Sequence, residues 1–136
     1  MSIDIIASID ELDKIYNYLE TNLPSDAIIF LRGDLAAGKT TLTSYIAQKK
    51  GLGSASSPTF SLQNSYSDKL FHYDLYRIED SEFMQMGIFE EFEKNGWHII
   101  EWGSEELEHF LKNAGYDLTI INISHRNNQR NYSIQR

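Results

Sequence analysis

The chain alternates between short apolar runs and amphipathic stretches, separated by residues that end regular structure. Ile3 to Ile6 reads as a short strand. Ser8 and Glu11 have the capping-box spacing, in which hydroxyl and carboxylate satisfy each other's end amides, so a helix should follow. Leu12, Ile15, Tyr16 and Leu19 then fall at i, i+3, i+4 and i+7, which places them on one buried helix face. That helix should stop before Pro24, because proline disfavours helical backbone in the residue ahead of it. Ala27 to Leu31 is a continuous apolar run fit for a buried strand, and Thr40 to Lys50 is polar and apolar at helical spacing, ending at Gly51. Phe60 to Tyr66 and Leu70 to Tyr76 flank Ser67-Asp68-Lys69, the pattern of an antiparallel hairpin. One or two helices are expected between Ser81 and Lys94, then a buried strand Trp97 to Ile100, a helix from Ser104 to about Lys112, and a final hairpin of Asp117 to Ser124 with Arg130 to Ile134. The sum is an α/β fold: a mixed parallel and antiparallel sheet of about seven strands with helices on its faces.

Between the Ala27–Leu31 strand and the helix after it stands Gly33-Asp34-Leu35-Ala36-Ala37-Gly38-Lys39-Thr40, a complete G-x-x-x-x-G-K-T phosphate loop. The spacing has a chemical reason. Backbone N–H groups must turn inward around phosphates, which glycines permit sterically. The lysine then reaches the β- and γ-phosphates, and the threonine hydroxyl ligates Mg²⁺. The following helix presents unpaired amides and its positive dipole end to the same anion. A nucleoside triphosphate is the ligand this arrangement predicts.

Composition narrows the picture. At 136 residues with 41% hydrophobic content, a single domain spanning residues 1–136 is expected, too small for a separate acceptor domain or large lid. With no cysteine, disulfides, thiolate nucleophiles and cysteine-based zinc sites are excluded. The four histidines show no paired ligand spacing. The first residues lack a basic start, and no apolar run approaches the ~18 residues of a membrane span, so no membrane association and a cytoplasmic location are expected. A formal net charge of -8 disfavours autonomous nucleic-acid binding, which relies on basic clusters. Any RNA substrate would be held by another subunit.

Phosphoryl chemistry needs an acid to position Mg²⁺ and the nucleophile. Glu101 ends the Trp97 to Ile100 strand, where α/β sheets present groups to nucleotides, and Asp74 lies in His72-Tyr73-Asp74-Leu75-Tyr76-Arg77, sharing one face with His72 and Tyr76 if the strand alternates. The bland alternatives are a solvated strand end for Glu101 and a loop-capping carboxylate for Asp74. In Ser57-Pro58-Thr59-Phe60 the proline and the phenylalanine would hold the Thr59 hydroxyl at a defined place, although such turns are common. Trp102 follows Glu101 and by itself reads as packing rather than chemistry. No N-K-x-D guanine-reading segment and no L-S-G-G-Q-like segment occurs, which argues against a GTPase and an ABC-type ATPase. A small P-loop kinase lacks residues for an acceptor pocket, while a nucleotide-dependent docking module with little hydrolysis remains an alternative.

Taken together, Gly33-Asp34-Leu35 with Gly38-Lys39-Thr40-Thr41, Gly51-Leu52-Gly53, Ser57 to Phe60, His72 to Arg77 and Glu101-Trp102-Gly103 closely resemble, in this order, the TsaE (YjeE) family of bacterial tRNA threonylcarbamoyladenosine synthesis. The resemblance implies an ATPase with ATP and Mg²⁺ as ligands, acting with TsaB and TsaD, the latter modifying adenosine 37 of tRNA. It implies that Gly33 to Thr41 cradle the nucleotide, with Lys39 and Thr41 on the phosphates and Thr40 and Glu101 on Mg²⁺. Thr59, Asp74 and Trp102 would serve hydrolysis or its coupling. The family arginine of the last hairpin matches Arg130, with Arg126 close by. Ala36 stands where the family usually has glycine, and Leu12 where it usually has a base-framing threonine.

Overall fold

The computed structural model describes residues 2–34, 37–51, 63–65, 69–76, 79, 82 and 87–136, the side chains of 63–65, 88 and 89 excepted. Seven strands form one sheet: β1 (Ser2–Ala7), β2 (Ala27–Arg32), β3 (Gln63–Ser65), β4 (Leu70–Asp74), β5 (Trp97–Glu101), β6 (Leu118–Arg126) and β7 (Gln129–Gln135). Their order is β1-β7-β6-β2-β5-β4-β3. Strands β6, β2, β5 and β4 run parallel at the centre, while β7 and β1 on one side and β3 on the other pair antiparallel. Among the described residues, the α-helices with defined bounds are α1 (Asp13–Asn22), α2 (Lys39–Lys49) and α3 (Glu105–Asn113).

The near-continuous apolar sequence of β2 and β5 follows from cover on both faces. Ile29 and Leu31 of β2 pack with Ile15 and Leu19 of α1 and with Leu42 and Ile46 of α2. Ile28 and Phe30, pointing the other way, join Leu107 and Leu111 of α3 and Phe92. Alternation therefore divides β5 as well: Trp97 and Ile99 lie on the α2 face and Ile100 on the α3 face. Trp97 is further tied by its indole N–H to the Pro24 carbonyl at 2.9 Å, with Lys50 Nζ 3.7 Å from its ring.

The Ser8–Glu11 cap forms, the Ser8 N–H donating to Glu11 Oε1 at 3.0 Å. It opens on a single 3₁₀ turn, Ile9–Glu11, before α1 begins. Leu12, Ile15 and Leu19 are buried as the periodicity predicts, and Tyr16 is half-buried beside them. Of the one or two helices expected between Ser81 and Lys94, the described residues include Glu82, which is α-helical, and a 3₁₀ helix, Ile88–Glu93. It is confined between left-handed Gly87 (φ 71°) and extended Lys94, leaving room for i→i+3 bonds such as Lys94 N–H to Glu91 O and little more. The stretch Gly51 to Pro58, whose glycines and serines predict a loop, lies outside the described residues apart from Gly51. Among the described residues, no helix is long and apolar enough to cross a membrane.

Candidate nucleotide site

Strand β2 delivers the chain to Gly33, and the loop closes on Gly38, which sits at φ 103° as the residue capping α2. Glycine is required there: a Cβ would face left-handed strain and would lie 2.7 Å from Arg130 Nη1. The first intrahelical bond of α2 is Leu42 N–H to Gly38 O, so the amides of Lys39, Thr40 and Thr41 have no acceptor within the helix. An anion at this end would meet those donors and the positive end of the helix dipole.

Lys39 folds back on its own loop. Its ammonium donates to Gly33 O at 2.6 Å and Asp34 O at 2.9 Å, and the Trp102 ring centroid lies 3.8 Å from Nζ. Burial lowers its pKa, opposed by the charges of Glu101, Asp34 and Asp74. Ala37 is buried, and its N–H donates to Asp34 O at 2.9 Å. Thr41 is exposed at the cleft.

Glu101 ends β5 on the same face as Ile99 and is 3% exposed. The Thr40 hydroxyl lies 3.1 and 3.2 Å from its two carboxylate oxygens, and His72 Nε2 lies 2.5 Å from Oε2. Asp74 pairs with Glu101 across β4 and β5, but its carboxylate is exposed and accepts from the Tyr76 N–H at 3.1 Å. It therefore acts as a loop cap in this conformation while still lining the cleft.

Lys39, Thr40, Asp74, Glu101, Trp102 and Arg130 together with Gly38, Thr41 and Tyr76 enclose a cleft of about 320 Å³. Leu35, Ala36 and Thr59 lie outside the described residues. Leu12, 2% exposed, is in the core and unavailable to a base. Arg130 rather than Arg126 reaches the loop, since Arg126 ends β6 exposed. One neighbour of Glu101 escaped the sequence: His72 was legible as sharing a face with Asp74, but its contact with Glu101 was not. A larger groove of about 1010 Å³ opens at the amino ends of β2, β5 and β6, remote from the phosphate loop.

The donors fit a small hard cation. A threonine hydroxyl and a carboxylate are oxygen ligands of the kind Mg²⁺ prefers, and they already converge here. A parallel-centred sheet with a phosphate loop between β2 and α2, and an acid at the end of the adjacent strand, defines a P-loop α/β protein. A crystal structure of YdiB from Bacillus subtilis has the same fold, with a TM-score of 0.63, 23% identity, and coverage of 98% of this chain and 84% of that one. The family model described as threonylcarbamoyl adenosine biosynthesis protein TsaE matches residues 6–132. The chain belongs to the TsaE family. It is 37% identical over 112 residues to the tRNA threonylcarbamoyladenosine biosynthesis protein TsaE of Haemophilus influenzae, a match spanning 79% of this chain and 68% of that protein. Against the protein of the same name in Bacillus subtilis it is 38% identical over 106 residues, spanning 69% and 66%. The match thus takes in about two thirds of the length of these relatives.

Proposed function

We propose that this protein is a single-domain, cytoplasmic, Mg²⁺-dependent ATPase that serves threonylcarbamoylation of adenosine 37 in tRNA, acting with TsaB- and TsaD-like partners. The observation that carries the ATPase reading is the convergence of Lys39, Thr40 and Glu101 at the amino end of α2, beside unpaired helix amides. The pathway is that of the named relatives. Thr40 and Glu101 would hold Mg²⁺, which when bound offsets charge on the β- and γ-phosphates.

The chain's own groups supply the rest. Amides of residues 38–41 cradle phosphate oxygens, and Lys39 exchanges its loop carbonyls for them. Arg130, at the mouth over Gly38, adds a second cation to the phosphate side. Asp74 and Thr59 are assigned to positioning the attacking water. The water oxygen bonds to the γ-phosphorus as the bridge to the β-phosphate breaks, leaving ADP and phosphate. Transfer of the threonylcarbamoyl group would take place on the TsaD-like partner, with hydrolysis here resetting the complex. Partners that hold tRNA are consistent with this chain's charge of -8.

The test is Lys39→Ala, followed by ATP affinity, turnover alone and with TsaB and TsaD, and multiple-round tRNA modification. Loss of ATP binding and of repeated modification in a folded variant is expected. Wild-type ATP affinity and turnover would remove the ATPase reading, and sustained modification by a hydrolysis-dead protein would remove the resetting role.

A further inference from the structure

Strand β2 ends on Arg32, directly before the phosphate loop. Its guanidinium reaches across to the segment that follows β5. Nη1 donates to Glu108 Oε1 at 2.6 Å, Nη2 to Ser104 O at 3.1 Å and Gly103 O at 3.3 Å, and Nε to Gly103 O at 3.4 Å. A planar fork of this kind fixes direction as well as distance, which a lysine ammonium does not.

The carbonyls it holds come immediately after Trp102, whose φ of 63° is rarely adopted by a bulky side chain. Gly103 completes the anchorage: a Cβ there would lie 2.5 Å from Phe30 Cε2, so its backbone rests on that ring. Ser104 Oγ then accepts from the Leu107 N–H at 3.0 Å and caps α3. Burial works against the charged Glu108, but Lys112 and Arg32 hold its pKa below the ordinary value. On its open side the Trp102 ring meets Lys39 Nζ at 3.8 Å and the Tyr76 ring at 4.8 Å.

We propose that Arg32 is a positioning residue of the nucleotide site, holding the carbonyls of Gly103 and Ser104 so that the Trp102 ring caps the Lys39 ammonium at the loop. The functional consequence rests on the ATP reading above, because the cap matters to activity when Lys39 receives phosphate. Without Arg32 the turn is released from its left-handed conformation, the ring leaves the ammonium, and water replaces it. Arg32 touches neither the phosphate-binding amides nor Glu101, so its loss raises KM for ATP more than it lowers kcat.

Trp102 reports its own position. The chain has two tryptophans, so Trp97→Phe leaves Trp102 as the sole tryptophan, selectively excited at wavelengths where tyrosine does not absorb. In that background, without nucleotide, Arg32→Ala shifts Trp102 emission to the red and increases acrylamide quenching. Arg32→Lys, which reaches one carbonyl at a time, gives an intermediate shift. Glu108→Gln removes the ion pair but keeps the carbonyl contacts, and its emission stays near the parent. Circular dichroism confirms folding. Unchanged emission in folded Arg32→Ala, or in Arg32→Lys should the alanine variant unfold, overturns the proposal. So does a Glu108→Gln shift as large as that of Arg32→Ala, which would make the ion pair the agent. If the parent fails to bind ATP while these shifts occur, the positioning stands and the ATP reading fails.

Discussion

Two buried histidines on neighbouring strands have opposite kinds of partner. His98, 1% exposed, sits on the α3 face, stacked 4.7 Å from Phe71 and edge-on to Phe92 at 5.7 Å. The Lys94 carbonyl can only accept, so Nε2 carries the proton given to it at 2.8 Å and Nδ1 accepts from the Tyr73 hydroxyl at 2.8 Å. The ring is neutral and satisfied, part of the core. His72, 7% exposed, lies on the opposite face with Nε2 against the Glu101 carboxylate. Register makes the difference: Phe71 pairs with His98 and His72 with Ile99, so one step along β4 exchanges the α3 face for the α2 face that carries Glu101. Depth does not separate these two histidines; the partner does.

The contrast breaks most sharply at Glu101. Glu101→Gln keeps volume but loses charge, and Mg²⁺-dependent turnover should fall by on the order of a hundredfold, the scale of losing one charge-stabilising group. Nucleotide binding without metal should fall far less; a magnesium titration of steady-state hydrolysis checks both. His72→Ala frees the carboxylate that His72 holds and should raise the Mg²⁺ concentration for half-maximal turnover by about tenfold, as loss of a ligand's hydrogen-bond partner usually does. An unchanged titration would class His72 with His98.

His98→Phe should leave ATP affinity alone. It removes the Nδ1 bond to the Tyr73 hydroxyl and the Nε2 bond to the Lys94 carbonyl, at a cost of about 1–3 kcal/mol in denaturant unfolding. Burial depresses the His98 pKa below its ordinary 6.5, so the unfolded chain binds its proton first as pH falls. Stability due to this group is therefore complete above pH 6.5 and declines below it, and His98→Phe should flatten that part of the profile.

The smallest effect concerns the first helix. The Ser8 backbone N–H and then Lys14 hold Glu11 down to a pKa of about 2, against an ordinary 4.5. Its contribution is full above 4.5 and is lost as pH falls toward about 2, so Glu11→Gln should remove a shallow acid slope in thermal unfolding.

What the sequence made legible is what depends on neighbours along the chain. The run of β5 ending on Glu101, the Ser8 cap and the hairpin closing the chain all rest on local spacing, and each appears within a residue or a few of its expected limits. Within the stretch expected to hold one or two helices, Ile88–Glu93 is a 3₁₀ helix, tightened by the backbone at both of its ends. The contacts that complete the site were hidden for another reason. Arg32 and Gly103 are 71 residues apart, and His72 and Glu101 are 29 apart, so only strand order brings them together. An arginine at a strand end and a histidine beside aromatics carry no local pattern that distinguishes them from ordinary packing.

The sheet order also sets a timetable. Among the described residues, β1 has a single pairing partner, β7, with Ser2 opposite Gln135. During synthesis from the amino end, β1 therefore emerges long before the strand that will hydrogen-bond to it, and such distant pairing is slow. Ile3 and Ile6, still 39% and 37% exposed after folding, are then open to other chains. The opening residues should accordingly be the last of the sheet to gain protection in a pulse-labelled refolding experiment, after β2 and α2 have already shaped the loop.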